Sequence, residues 1–239
     1  MEKTNEQLFK LYSSKWDNLN SELNRILEDG DSDIKPANPL LIHIDSEDDW
    51  EKADIRLMFF GQETNGWFGE WREESRPGRP GIADLQEVYD VFFNKNAGYG
   101  GQFWNGIKRF KKLLQEKYPE KKISWIWNNV VKTGKEDAKG LPPDYIYEVE
   151  REHFPVIKDE LKITKPNLVL FLTGPNYDGI IKDNFGEIAY QAVTPYSARQ
   201  ISQVTIDNVP FAFRTYHPGY LYRNNIDGFF NAIIEQINF

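Results

Sequence analysis

The chain has 239 residues, of which 40% are apolar and 15% aromatic, so we expect one large packed domain and exclude a disordered chain. It contains no cysteine, which excludes disulfide bonds, thiolate zinc sites and cysteine nucleophiles. No apolar run approaches the roughly 18 residues of a membrane-spanning helix, and the first ten residues are polar and charged. We therefore expect a cytoplasmic protein with no membrane partner.

The formal charge of −8 is concentrated at the start of the chain. Residues 1–54 carry six Lys/Arg and fourteen Asp/Glu, whereas residues 55–239 carry 23 of each sign. The overall acidity argues against a generic nucleic-acid binder. A neutral body is nevertheless compatible with an enzyme that contacts phosphates through a local basic face.

The first elements in chain order are a helix and a connection. Apolar residues at helical spacing over residues 4–28 predict one long amphipathic helix. The stretch 31–54 is rich in acids and contains two prolines, so we expect an irregular connection with a short strand from Leu40 to Ile44. We interpret residues 1–239 as a single domain with an N-terminal helical extension of about 1–54.

From residue 55 onward, apolar runs alternate with helical segments, and this predicts an α/β fold with a mainly parallel sheet. Four short runs resemble buried strands: Ile55–Phe60, Ile123–Trp127, Asn167–Leu172 and Pro210–Thr215. Helices are predicted at about 82–93, 103–117, 143–162, 176–184 and 224–237. Pro155 should kink or divide the third of these.

A glycine- and proline-rich stretch, residues 66–81, predicts a long loop, and long loops in compact domains are often functional. The polar residues that directly follow the predicted strands are also unusual. In an open parallel sheet, ligands bind beyond the carboxyl ends of the strands. These ends carry Gly61-Gln62-Glu63-Thr64-Asn65-Gly66, Asn128-Asn129, Thr173-Gly174-Pro175-Asn176 and Tyr216-His217-Pro218-Gly219.

At these residues the chain resembles the uracil-DNA glycosylase superfamily. That family has Gly-Gln-Asp-Pro-Tyr-His after its first strand, an apolar strand ending in Asn, and His-Pro-Ser-Pro-Leu after its last strand. The matching segments here are Gly61-Gln62-Glu63, Ile126-Trp127-Asn128 and His217-Pro218-Gly219-Tyr220-Leu221. The resemblance covers residues 55–225, without the 66–100 insertion. It implies a three-layer α/β/α fold with a four-stranded, mainly parallel sheet.

The chemistry that the resemblance implies is hydrolysis of the N-glycosidic bond of uracil or another damaged base flipped from DNA. His217 and Glu63 would be the catalytic residues. His217 would donate a hydrogen bond to the carbonyl oxygen on which negative charge develops as the base departs. Glu63 would orient or activate water, or stabilise the cationic sugar.

The resemblance also implies a base-binding pocket. Asn128 would read the Watson–Crick edge of the base, because an amide offers both a donor and an acceptor; Asn129 is the residue most easily confused with it. Gln62 would line the pocket with its backbone N–H. Phe103 is the candidate for stacking on the base, with Trp67 or Phe68 as alternatives. A wedge that fills the vacated stack would be formed by two further residues, Tyr220 and Leu221.

Asn65 occupies the position at which the family has a tyrosine that blocks the thymine methyl group. Because asparagine is smaller, we expect a base pocket that is either wider than uracil requires or closed by an aromatic residue from 66–71. Glu63 replaces an aspartate of the motif and places its carboxylate one methylene further from the backbone.

A different class of function is also compatible with the sequence, namely an inactive member of the same fold that binds a nucleobase, a nucleotide or a protein. Phosphate-loop and dinucleotide motifs are absent, and three scattered histidines give no metal-site spacing, so we predict neither a metal nor an organic cofactor. The basic residues at 108–112 read as the solvated face of a helix. DNA is the expected partner, and we expect a monomer.

Overall fold

The structure is a computed structural model that describes residues 2–29, 33–71, 81–96, 100–136 and 139–239. Most of the predicted 66–81 loop, residues 72–80, lies outside the described residues. The chain forms two compact units. Unit 1 consists of residues 1–45, 62–95 and 129–164, and unit 2 consists of residues 46–61, 96–128 and 165–239.

Nine α-helices are described: α1 (Thr4–Glu28), α2 (Glu47–Glu51), α3 (Ile82–Tyr89), α4 (Gln102–Lys117), α5 (Asp144–His153), α6 (Ile157–Thr164), α7 (Asp178–Phe185), α8 (Pro218–Leu221) and α9 (Ile226–Ile234). A π-helical segment, Asp90–Lys95, directly follows α3. A 3₁₀ turn, Pro175–Tyr177, precedes α7.

The described strands are β1 (Pro36–Pro39), β2 (Ile55–Gly61), β3 (Ile123–Asn129), β4 (Thr133–Lys135), β5 (Leu168–Phe171), β6 (Tyr190–Ala192), β7 (Ile201–Val204) and β8 (Phe211–Thr215). The four predicted strands correspond to β2, β3, β5 and β8, with ends that differ by no more than two residues. Three of them, β2, β5 and β8, lie inside the sheet, and such buried strands are nearly continuous apolar runs that the sequence reveals.

The central sheet has the strand order β3-β2-β5-β8-β7-β6. The strands β2, β5 and β8 are parallel, with Leu57 opposite Leu168 and Leu168 opposite Phe211. At the other end, β7 is antiparallel to β8 and β6 is antiparallel to β7. The prediction of a mixed α/β fold with a mainly parallel sheet is thus confirmed. The prediction of four strands is wrong, because two short antiparallel strands extend the sheet to six.

Helices flank both faces of this sheet within unit 2. Neighbouring residues of a strand point to opposite faces. The ring of Phe59 packs edge-on against Phe110 of α4, with 5.8 Å between ring centroids. The next ring along the strand, that of Phe60, packs against Phe185 of α7 at 6.4 Å. Two consecutive phenylalanines in β2 therefore anchor one helix on each side.

Unit 1 is built around α1, whose inward face is completely buried at Leu8, Tyr12, Leu19 and Leu23. This helix contacts α3, α5 and α6. A two-stranded ribbon of β1 and β4 completes the unit, with Pro36 opposite Lys135 and Pro39 opposite Thr133. The helix thus contributes four completely buried side chains to the core of its unit. The single-domain interpretation stays a prediction.

The helix predictions largely agree with the observed elements. Pro155 lies between α5 and α6, as expected for a residue that has no backbone N–H to donate. The predicted strand from Leu40 to Ile44 is wrong, because the strand is β1 and lies just before it. Four of the five residues from Leu40 to Ile44, all but His43, are buried and apolar. A short buried apolar run has the same sequence pattern whether or not it forms a strand. No helix in the described ranges is long and apolar enough to cross a membrane.

Candidate functional site

His217 is the second residue after β8, and the ring of Phe103 lies against one face of its imidazole. The two rings are nearly parallel, with an interplanar angle of 17° and 5.6 Å between centroids. Phe103 is the second residue of α4, so a helix start and a strand end meet at this pair. The structure therefore brings together two of the predicted site residues within unit 2.

Hydrogen bonding fixes the tautomer of His217. Its Nδ1 accepts a hydrogen bond from the backbone N–H of Gly219, at 3.0 Å. A nitrogen that accepts cannot carry the proton, so the proton of the neutral ring is on Nε2. Burial lowers the pKa of His217, which favours this neutral form. The result is a neutral imidazole with a fixed N–H donor at Nε2.

Two glycines allow the close packing that positions this ring. A Cβ atom on Gly219 would lie 2.7 Å from Oε1 of Gln102 and 3.1 Å from Nδ1 of His217. A Cβ atom on Gly106, in α4, would lie 2.5 Å from Cβ of Pro218. The Pro218 ring cannot move out of the way of a methyl group on Gly106, so this position requires glycine for α4 and α8 to approach each other, whereas a methyl group on Gly219 would displace the end of the Gln102 side chain.

Asn128 is the sixth residue of β3 and is completely buried. The preceding Trp127 packs edge-on against Trp104 of α4, with 4.9 Å between ring centroids. Asn128 therefore lies in a strand that contacts α4, the helix that also carries Phe103. Asn129 is the last residue of β3 and is only 2% exposed. Burial therefore does not show which of the two asparagines would read the base.

The two predicted wedge residues differ in exposure. Leu221 is completely buried, whereas Tyr220 is 38% exposed. Only Tyr220 offers side-chain surface to a ligand, and its ring lies against that of Tyr216 with 4.2 Å between centroids. Leu221 acts as the apolar anchor of α8.

Gln62 and Glu63 are the first residues after β2 and belong to unit 1. Both are half-buried. The backbone carbonyl of Gln62 accepts a hydrogen bond from the N–H of Val131, at 3.0 Å. The role of Glu63 beside Asn128 and His217, which belong to unit 2, stays a prediction.

The loop that begins at Glu63 is supported by β4. Gly134 lies so close that a Cβ atom on it would be 2.3 Å from the backbone oxygen of Thr64. Asn65 forms a single parallel β-bridge with Lys135. These contacts hold the backbone on the C-terminal side of Glu63 within unit 1.

The residues that were predicted to control the width of the base pocket follow in the same loop. Asn65 is exposed. Trp67 is 7% exposed, and its ring packs edge-on against Phe92 at 5.3 Å. Phe68 is half-buried and adopts a left-handed backbone with φ of 58°. Pocket closure by Trp67 or Phe68 stays a prediction.

A buried polar network lies behind β4. Nζ of Lys132 is 2.7 Å from Oε1 of Glu160, and both side chains are completely buried. The hydroxyl of Tyr12 donates to the same oxygen at 2.6 Å. The carboxylate of Glu150 accepts the backbone N–H groups of Lys132 and Thr133 at 2.8 and 2.6 Å. Sequence reasoning missed this network, because its members lie far apart in the chain.

The sequence predicted that the basic residues of α4 face solvent, and this is true of only some of them. Lys108 and Lys112 are exposed. Arg109 makes a bidentate pair with Asp227 of α9, at 2.7 and 2.6 Å. Nζ of Lys111 lies 3.6 Å from the ring centroid of Trp125, and burial lowers its pKa to about 8. Two of the four cations, Arg109 and Lys111, therefore make contacts with other side chains of the protein.

Among the described residues, no group of three His, Asp or Glu side chains is arranged to hold a metal ion. No protein-family model matches the chain, and comparison with curated proteins gives no match. The resemblance to the glycosylase superfamily therefore rests on the strand-end motifs alone.

Proposed function

We propose that the chain is a DNA glycosylase-like hydrolase that cleaves the N-glycosidic bond of uracil or another damaged base. The observation that carries this proposal is the imidazole of His217. It lies beyond the carboxyl end of a parallel strand, where ligands of such sheets bind. Its accepting Nδ1 and the partial burial of its ring leave a neutral Nε2–H as the donor.

This donor suits the reaction. When the glycosidic bond breaks, the base leaves with the bonding electrons, and negative charge develops on its carbonyl oxygen. A fixed N–H donor stabilises that charge, and removal of one such donor costs roughly 3–4 kcal/mol of transition-state stabilisation. Phe103 and Gly219 hold the ring in place before the substrate binds, so no reorganisation is needed.

The remaining roles follow from the motif. Asn128 offers an amide donor and acceptor that match the Watson–Crick edge of uracil. Glu63 orients or activates the water that attacks the sugar, or stabilises the positive charge on the sugar. The competing function is base binding without cleavage.

The test measures base release from single- and double-stranded oligonucleotides that contain uracil, with base binding measured alongside. We expect His217→Leu to lower the rate by about 10²–10³-fold because it removes the donor. Glu63→Gln should also lower the rate, and the control His153→Gln, in α5, should leave it unchanged. Base binding without release would select the binding function. Release that is unaffected by His217→Leu would refute the assignment of this residue.

A further inference from the structure

The loop that carries Glu63 is in contact with a short segment of unit 1. The backbone N–H of Val131 donates to the carbonyl of Gln62 at 3.0 Å, and Gln62 is the residue before Glu63. Gly134 packs so closely that a Cβ atom on it would lie 2.3 Å from the backbone oxygen of Thr64, the residue after Glu63. The two ends of the segment thus contact both chain neighbours of Glu63. We call the four residues from Val131 to Gly134 the support segment.

The carboxylate of Glu150, on α5, binds the middle of the support segment. Its Oε1 accepts the backbone N–H of Lys132 at 2.8 Å, and its Oε2 accepts that of Thr133 at 2.6 Å. The carbonyl of Lys132 accepts the backbone N–H of Leu40 at 2.9 Å. A carboxylate has two oxygens that can each accept an N–H, whereas a side-chain amide has one. Glu150 is therefore suited to fix two consecutive N–H groups.

The position of Glu150 is costly for the protein. The residue is 4% exposed, and burial raises its pKa from 4.5 to about 7. Burial thus disfavours the carboxylate, which is the form that accepts both N–H groups. An apolar side chain would avoid this cost but would leave the two buried N–H groups unpaired. Costly buried groups of this kind are typical of sites that are held in a fixed geometry for function.

We propose that Glu150 is a positioning residue for the reaction. Its carboxylate fixes the support segment, and the support segment fixes the loop on both sides of Glu63, so that the Glu63 carboxylate is held where it acts on water or on the sugar. This inference rests on the proposed function, in which Glu63 is a catalytic residue. A misplacement of about 1 Å costs about a hundredfold in rate, so a small shift of the loop has a measurable effect.

The first measurement is a double-mutant cycle on base release, with Glu150→Gln and Glu63→Gln made singly and together. The amide of Glu150→Gln retains one acceptor and turns its NH₂ group toward the second backbone N–H, so one hydrogen bond is lost. We expect Glu150→Gln to lower kcat by about tenfold or more and to leave KM unchanged, because it acts on Glu63 and not on the base.

The cycle separates positioning from a merely structural role. In the Glu63→Gln background, Glu150→Gln should have little further effect, because the group that it positions is already gone. A structural role would lower the rate by the same factor in both backgrounds, and that result would overturn the proposal. Assays above pH 7 keep the Glu150 carboxylate ionised.

The second measurement needs no substrate. Hydrogen exchange at the Val131 N–H, which donates to Gln62, reports the contact between the support segment and the loop. We expect this exchange to be about tenfold or more faster in Glu150→Gln. The N–H of Leu172 donates to the carbonyl of Phe60 at 2.8 Å in the central sheet, and it should keep its rate. Unchanged exchange at Val131, or equal acceleration at both amides, would overturn the proposal.

The matched control is Glu148→Gln, because Glu148 lies on the same helix but is exposed. It should leave kcat and the exchange at Val131 as they are in the unchanged chain. Glu150→Asp is the second variant if Glu150→Gln does not fold. It keeps both oxygens but withdraws them by one methylene, so kcat should fall with the same dependence on Glu63. Thermal unfolding of each variant checks that the fold is retained at the assay temperature.

Two results separate this inference from the proposed function. Faster exchange at Val131 in Glu150→Gln, with no base released from any substrate, would refute the hydrolase and support the positioning of the loop by Glu150. Base release that depends on His217 and Glu63 but is unchanged in Glu150→Gln would support the hydrolase and refute the positioning role.

Discussion

Lys132 and Glu160 form a completely buried ion pair in unit 1, with 2.7 Å between Nζ and Oε1. Lys132 directly precedes β4, the strand that supports the Glu63 loop, and Glu160 lies on α6. The ion pair therefore links the start of β4 to α6. A buried charge is tolerated only while its partner is present.

We therefore expect Lys132→Met to destabilise the protein by about 3–5 kcal/mol, because it leaves a buried carboxylate unpaired. The double variant Lys132→Met with Glu160→Gln removes both charges and retains an acceptor for the hydroxyl of Tyr12. It should be more stable than Lys132→Met alone. Urea unfolding measures both effects, and a double variant that is less stable than Lys132→Met would contradict this account.

The stability of unit 1 should fall as the pH rises through neutrality because of Glu150. Burial raises the pKa of Glu150 from 4.5 to about 7. Between these values the folded protein binds more protons than the unfolded chain, so stability is greatest below pH 4.5 for this group and declines toward pH 7 and above. The loss attributable to Glu150 amounts to about 3 kcal/mol.

The measurement for Glu150 is the free energy of unfolding as a function of pH, compared with Glu150→Gln. The amide does not titrate, so the variant should lack this decline, whatever its stability at a single pH. Parallel profiles for the two proteins would show that Glu150 titrates in its ordinary range.

Substitution of Gly134 tests the close contact between β4 and the Glu63 loop. In Gly134→Ala the new methyl group would lie 2.3 Å from the backbone oxygen of Thr64, so the loop must shift. We expect a loss of about 1–3 kcal/mol in stability, as in other overpacked sites. The control is Gly179→Ala in α7, where nothing lies within 4 Å of the new methyl group. It should be neutral or slightly stabilising, and equal destabilisation in both variants would contradict the contact.

Removal of the Phe103 ring should change the titration of His217. Burial lowers the pKa of His217 below 6.5, and the stacked ring contributes to that burial. Phe103→Ala should raise the pKa toward its ordinary value, whereas Phe103→Tyr should leave it low. In the unchanged protein, the stability contributed by the neutral imidazole should be lost as the pH falls from 6.5 through the folded-state pKa. Nitrogen NMR of the imidazole measures the titration, and a protonated Nδ1 in the neutral ring would contradict the assigned tautomer.

The sequence identified β2, β3, β5 and β8, which are mostly apolar runs, but missed β1, β4, β6 and β7. Ser202 and Gln203 interrupt β7, and β6 has only three residues, so neither forms an apolar run. The ribbon strand β1 consists of Pro-Ala-Asn-Pro, a composition that favours turns and loops. Such strands form because a neighbouring strand pairs with them, and the local sequence does not reveal this pairing.

The candidate site shows the same division. His217 could be singled out because it follows a predicted strand, and Phe103 because it is an aromatic residue at the start of a predicted helix. The glycines that support them could not be assigned, because close approach is a property of two segments packed together. The signal was nevertheless present: Gly106 interrupts an amphipathic helix, where a glycine costs about 1 kcal/mol relative to alanine.

The way in which the units are divided along the chain has a consequence for biosynthesis. Each unit is assembled from three separate stretches, and the last stretch of unit 1 ends at Thr164. During translation, α1 must therefore wait for α5 and α6 before its buried face is covered. β2 must wait even longer, until β5 and β8 have been synthesised. Apolar segments near the start of the chain are exposed during this interval, so we expect co-translational chaperone contact rather than stepwise folding from the N-terminus.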